Sequence, residues 1–104
     1  MNQLLTVSGA DLRYLLTAYL VDHGPATVDE LIDALAYHGF HPADRPSKAV
    51  SDALRCEVAH GRAVRLRRGH YRPGSMPRAV QHRIVQRVRA LHDEVGNRDR
   101  SRIA

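Results

Sequence analysis

The sequence predicts a mainly α-helical fold with a small β-hairpin: a three-helix core, a basic ribbon of two or three strands, and an extra C-terminal helix. Three observations lead there. Apolar residues recur at helical spacing in three segments bounded by capping residues. The stretch Gly61 to Gly74 alternates apolar and basic residues about a central Arg68-Gly69. Helical spacing returns after Pro73-Gly74, in a narrow apolar stripe among arginines.

Residues 1–7 read as a short lead-in. Ser8 then serves as an N-cap, with Asp11 three residues on as its reciprocal acid. Leu12, Leu15, Leu16, Tyr19 and Leu20 give the first helix its buried stripe, and His23-Gly24-Pro25 ends it. Thr27 and Glu30 form a capping box that opens a second helix. Val28, Leu31, Ile32 and Leu35 are its core face, Gly39 stops it, and Phe40 folds back onto the core. Two prolines keep the loop from His41 to Pro46 from being helical throughout. A third helix runs from Pro46 or Ser47 to His60 and closes at Gly61. Ala49, Val50, Ala53, Leu54 and Val58 fall on one side of it, and Lys48, Ser51, Asp52 and Arg55 on the other.

With Arg68-Gly69 at the hairpin tip, Arg67 faces His70, Leu66 faces Tyr71 and Arg65 faces Arg72. Val64, Leu66 and Tyr71 then share the face that seals against the helices. Arg65, Arg67, His70 and Arg72 share the other. Like charges opposed across a ribbon destabilise it, so this pattern points to a polyanionic partner. Ser75 can cap a fourth helix over about Met76 to Val95. Its stripe of Val80, Ile84, Val88, Leu91 and Val95 spans about 80°. That width suits a seam with a second copy or packing back on the first helix; a homodimer interface through these five residues is the expectation. The chain thus divides into a domain over 8–74, a C-terminal helix over 75–95 and a flexible tail over 96–104.

Charge is segregated along the chain. Residues 1–44 hold one base, Arg13, against Asp11, Asp22, Asp29, Glu30, Asp33 and Asp44, while the remaining fifteen bases lie beyond them with five acids. Such a footprint implies an anionic partner. One cysteine excludes an internal disulfide framework and suits a reducing cytoplasm. No apolar run approaches a membrane span, and no signal peptide pattern is present.

The order of helix, capped helix, turn, amphipathic helix and basic hairpin resembles the winged helix-turn-helix family of DNA-binding domains, in its bacterial regulator form. The resemblance rests on Thr27 to Leu31, on Ser47 to Arg55 and on Gly61 to Pro73, and covers about 8–74. It implies that Ala26-Thr27 is a minor strand, that the third helix enters the major groove of double-stranded DNA, and that the hairpin touches phosphates or the minor groove. Ser47, Lys48, Ser51, Asp52 and Arg55 are then the recognition-helix candidates. Arg62, Arg65, Arg67, Arg68, His70 and Arg72 are the wing candidates. The role implied is a sequence-specific, nucleoid-associated transcription regulator. The alternatives are an architectural DNA binder and a protein-interaction module of antitoxin type.

Cys56 and His60 sit one helical turn apart, and His38 and His41 form a second pair. No CxxC accompanies them, so no metal or cofactor is assigned. No nucleophile elbow, phosphate-cradling loop or paired carboxylates suggest an enzyme.

Overall fold

Leucine-rich faces from three helices meet in a single core. In chain order the elements are β1 (Leu5–Val7), α1 (Gly9–His23), β2 (Ala26–Thr27), α2 (Val28–Tyr37), β3 (Phe40–Pro42), α3 (Pro46–Ala59), β4 (Ala63–Arg67), β5 (His70–Pro73) and α4 (Arg78–Ile103). The computed structural model describes the backbone of residues 4–103 and the side chains of residues 4–98. Leu12, Leu15, Leu16 and Leu20 of α1 pack on Leu31 and Leu35 of α2 and on Val50 and Leu54 of α3, with Phe40 closing one end. Each such side chain contributes roughly 1.5–3 kcal/mol on burial. Among the described residues no helix is long and apolar enough to cross a membrane.

Local signals explain most helix starts. The Thr27 hydroxyl accepts from the Glu30 amide at 3.1 Å, and the Glu30 carboxylate accepts from the Thr27 amide at 2.8 Å. This is the expected capping box, and it holds the Glu30 carboxyl below its ordinary range. Pro46 occupies the first turn of α3, where its fixed φ fits and its missing N–H costs nothing. The cap predicted for α1 is different. Ser8 stands at the N-cap without a side-chain bond, and Asp11 instead accepts two hydrogen bonds from Arg87 of α4, at 2.9 and 3.0 Å. A bidentate guanidinium outcompetes a single backbone amide for that carboxylate.

Helix α4 departs from expectation at both ends and in its partner. It begins at Arg78, because Pro77 biases Met76 away from helical backbone. It then runs through Gly96 to Ile103, so the tail expected over 96–104 is helical through Ile103, and Ala104 lies outside the described residues. Ile84 and Leu91 are each only 2% exposed. Val88 and Val95 pack against the core as well, and Val80 is half-buried. Four of the five residues expected at a homodimer interface, Ile84, Val88, Leu91 and Val95, therefore lie on the inward side of α4, which rests along α1. An apolar stripe records that a face is covered, and here the same chain covers it.

Two short sheets fasten the helices. Strands β1 and β3 pair in parallel, Leu5 with Phe40, Thr6 with His41 and Val7 with Pro42. The supposed lead-in and the proline-containing loop thus brace each other, with Leu5, Val7, Phe40 and Pro42 turned inward. The second sheet has the order β2-β5-β4.

Candidate nucleic-acid interface

The β4–β5 ladder pairs Arg67 with His70 and then breaks. Arg65 pairs with Tyr71, Val64 with Arg72 and Ala63 with Pro73, leaving Leu66 as an extra residue without a partner. A one-residue bulge moves everything behind it to the opposite face. Leu66 is consequently 50% exposed instead of sealed against the helices. The expected stacking of arginine on arginine is absent: Arg65 opposes a buried tyrosine and Arg72 opposes Val64. This register relieves like-charge opposition while Tyr71 stays inward, opposite Ala26 of β2.

Shifting Arg65 to the Tyr71 side builds a cleft of about 880 Å³ between the hairpin and α3. Ser47, Ser51, Arg55 and Val58 form its α3 wall, a single stripe at helical spacing. Arg65, Arg68, Gly69, His70 and Tyr71 form the hairpin wall, and Thr27, Val28 and Asp29 form the end. Arg55, Arg65 and Arg68 are exposed, and His70 is half-buried. Asp29 is the one acid facing these bases in the cleft lining. At its mouth α3 begins without a side-chain cap, so its first amides and the positive end of its dipole are open to an anion.

The other candidates go elsewhere. The Lys48 ammonium lies 2.9 Å from Asp52 and 3.9 Å from Asp44. Its hydrogen bond with Asp52 raises the Lys48 pKa and lowers that of Asp52. Asp52 also sits 3.5 Å from the Arg55 guanidinium. Solvent-exposed pairs like these are weak and screened by salt, so phosphates or base edges compete for them readily. Arg67 and Arg72 are exposed on the hairpin but do not line the cleft, and Arg72 donates to the Pro73 carbonyl at 3.0 Å.

Arg62 departs furthest from the sequence reading. Its Nε and Nη2 donate to the two carboxylate oxygens of Glu57 at 2.9 and 2.6 Å. Glu57 is fully buried on the inward side of α3, where the helical wheel suggests Val58. The Thr17 hydroxyl donates to the same carboxylate, and Arg13 Nε stands 3.7 Å away. Val58 is 37% exposed and faces the cleft. Arg62 therefore anchors the hairpin base and is not one of its free cations.

The base of the hairpin is narrow. The Gly74 amide donates to the Arg62 carbonyl at 2.8 Å, and the Ser75 amide donates to the Gly61 carbonyl at 3.0 Å. A Cβ on Gly74 would collide with the Gly61 carbonyl and the backbone of Arg62. At the other end, the Val28 amide donates to the Gly69 carbonyl at 3.0 Å, tying the hairpin tip to the first turn of α2.

Sequence reasoning missed Val58, Tyr71 and the α2 end of the cleft. Val58 could have been found by extending the Ser47, Ser51, Arg55 stripe one turn. The minor strand that the resemblance implies at Ala26-Thr27 is present as β2, paired through Thr27 with His70, but no sequence signal brings Val28 and Asp29 beside the hairpin tip. Cys56 and His60 do come together, with Sγ 3.8 Å from Nδ1. Glu57 shares their cluster, but its two oxygens already accept from Arg62 and Thr17, and His60 Nδ1 is engaged by the Cys56 carbonyl at 2.9 Å. Those bonds already engage both Glu57 oxygens and one His60 ring nitrogen.

No family model, curated protein or solved structure matches the chain.

Proposed function

We propose that this chain is a winged helix protein that binds double-stranded DNA, with α3 in the major groove and the β4–β5 hairpin as a wing on phosphates or the minor groove. The observation that carries this reading is the cleft, where Arg55 from α3 meets Arg65, Arg68 and His70 from the hairpin. Four basic side chains, an uncapped helix start and the hydroxyls of Ser47 and Ser51 are the donor set for a phosphate backbone and base edges. Arg55 suits guanine, and Ser51 addresses either kind of base. Arg67 and Arg72 add charge outside the cleft. The reading requires no second copy, because α4 spends its apolar stripe within the chain.

The role proposed is sequence-specific transcription regulation. One observation favours a non-specific architectural role instead: Lys48, Asp52 and Arg55 partly neutralise one another, which leaves α3 poor in free base-reading groups. Selection of bound duplexes from a random-sequence pool, followed by competition at fixed salt, separates the two. A regulator enriches a motif and prefers it by roughly 10³-fold or more over unrelated duplex. An architectural protein enriches none. Failure to bind any duplex in a salt-sensitive manner would remove both.

A further inference from the structure

Leu66 is the most exposed of the larger aliphatic side chains among the described residues. The bulge turns it out of the ladder, between Arg65 and Arg67 and next to Arg68, all three exposed. A regular ladder would have kept it opposite Tyr71, on the buried side. The local chain thus exposes a leucine in the middle of its densest run of positive charge. Leucine offers nothing to a phosphate. It does fit between bases that have been parted, where apolar side chains act as wedges.

Dimensions favour this use. Paired strands lie about 4.8 Å apart before side chains are added, and the minor groove of regular duplex is only about 6 Å wide. A single arginine side chain can enter such a groove as it stands, but the paired strands themselves enter only if the groove opens. A side chain that unstacks one base step kinks the duplex toward the major groove and opens the minor groove at that point.

We infer that Leu66 is a wedge that the wing inserts at a base step, so that the protein kinks DNA and favours duplexes with an easily unstacked pyrimidine–purine step. The inference rests on the DNA-binding reading above and specifies how the wing meets its target. Arg65, Arg67 and Arg68 supply the attraction, and Leu66 converts it into deformation. Flexible TA or CA/TG steps cost least to open, whereas A-tracts are stiff. The substrate class is therefore defined by deformability at the wing contact and not by a base-edge code there.

The test uses the full chain with two duplexes of equal length and composition, one carrying a central TA step and one a central A-tract. Both carry end dyes for energy transfer, and 2-aminopurine beside the step reports unstacking. Wild-type protein is expected to bend the TA duplex by at least about 20°, brighten 2-aminopurine and bind TA over A-tract by roughly tenfold. Leu66→Ala should lose the bend and the 2-aminopurine signal and bring the two affinities together. Its salt dependence should remain, since every phosphate-binding cation is still present. Leu66→Phe should keep the bend, and circular dichroism checks that both variants fold. Salt-sensitive binding with equal bending by wild type and Leu66→Ala, or with none by either, would overturn the wedge while leaving the DNA reading intact. Absence of duplex binding by wild type would overturn both.

Discussion

Glu57 and Arg62 hold each other in a two-point ion pair across the junction of α3 and the hairpin, and Thr17 of α1 adds a third bond to the same carboxylate. Glu57 is fully buried and the Arg62 side chain is 14% exposed. The pair fixes where the hairpin leaves the helical core, and it raises the Arg62 pKa. Glu57→Ala would leave Arg62 and Arg13 without their shared anion, and removal of one partner of a buried pair costs about 3–5 kcal/mol. Urea unfolding should show that loss. Arg62→Lys should recover only part of the wild-type midpoint, because an ammonium cannot reproduce the paired bonds.

Arginine substitutions should separate by position. Arg65→Ala and Arg68→Ala should weaken binding to all duplexes and reduce the salt slope by about one for each phosphate no longer neutralised. Arg55→Ala should relax preference at particular base pairs, at a cost of about 1–3 kcal/mol there. Uniform loss across sequences for Arg55→Ala would mean that α3 does not read bases. Titrations against a duplex panel at several salt concentrations check all three.

Much of this arrangement was legible because the signals were local. The Thr27–Glu30 box spans four residues and fixes the start of α2 by itself. Gly69, with φ of +76°, marks the hairpin tip where the sequence suggested. The buried stripes of α1 and α2 follow helical spacing. What could not be read depends on contacts distant in sequence. Asp11 finds Arg87 on another helix, Leu5 to Val7 finds a strand beyond two helices, and the α4 stripe does not say which surface it covers. The Leu66 bulge was invisible for another reason. Alternation predicts register only while every residue is paired, and one unpaired residue reverses the faces of the rest.

The inward placement of α4 predicts a concentration-independent effect. Leu91→Ala should destabilise the chain by about 2–5 kcal/mol through a cavity within the monomer. The unfolding midpoint should not change with protein concentration, as it would for a helix stabilised by a second copy. Equilibrium denaturation over a hundredfold concentration range provides the check.

Gly39 makes a second point on the same seam. Its φ is +91°, and an added Cβ would lie 2.7 Å from Val95 Cγ1. Gly39→Ala therefore combines backbone strain with a collision against α4. A loss of roughly 1–3 kcal/mol is expected. Val95→Ala in the same chain should relieve the collision but not the strain, so the double variant should recover part of the loss in thermal melts.

Acid should loosen this seam. His92 of α4 stacks edge-on against Phe40 and His38, with ring centroids 5.2 and 5.3 Å away. Burial, then repulsion from His38, lowers its pKa below the ordinary histidine value, while Asp93 acts the other way. The unfolded chain thus binds this proton more readily. The contribution of His92 is fully present above the unfolded pKa of about 6.5 and is lost as pH falls toward the lower folded value. His92→Phe should flatten the pH dependence of stability in that window. The Asp11–Arg87 pair, whose carboxyl pKa is lowered, should retain its contribution there and lose it only in stronger acid.

The bond from the Val28 amide to the Gly69 carbonyl has a thermodynamic consequence for target engagement. With its tip held by α2 and its base by Glu57, the hairpin has little folding left to complete on meeting a ligand. Association should then show a heat-capacity change set by the contact surface and by any deformation of the duplex, without the larger negative signature of a protein segment that folds on binding.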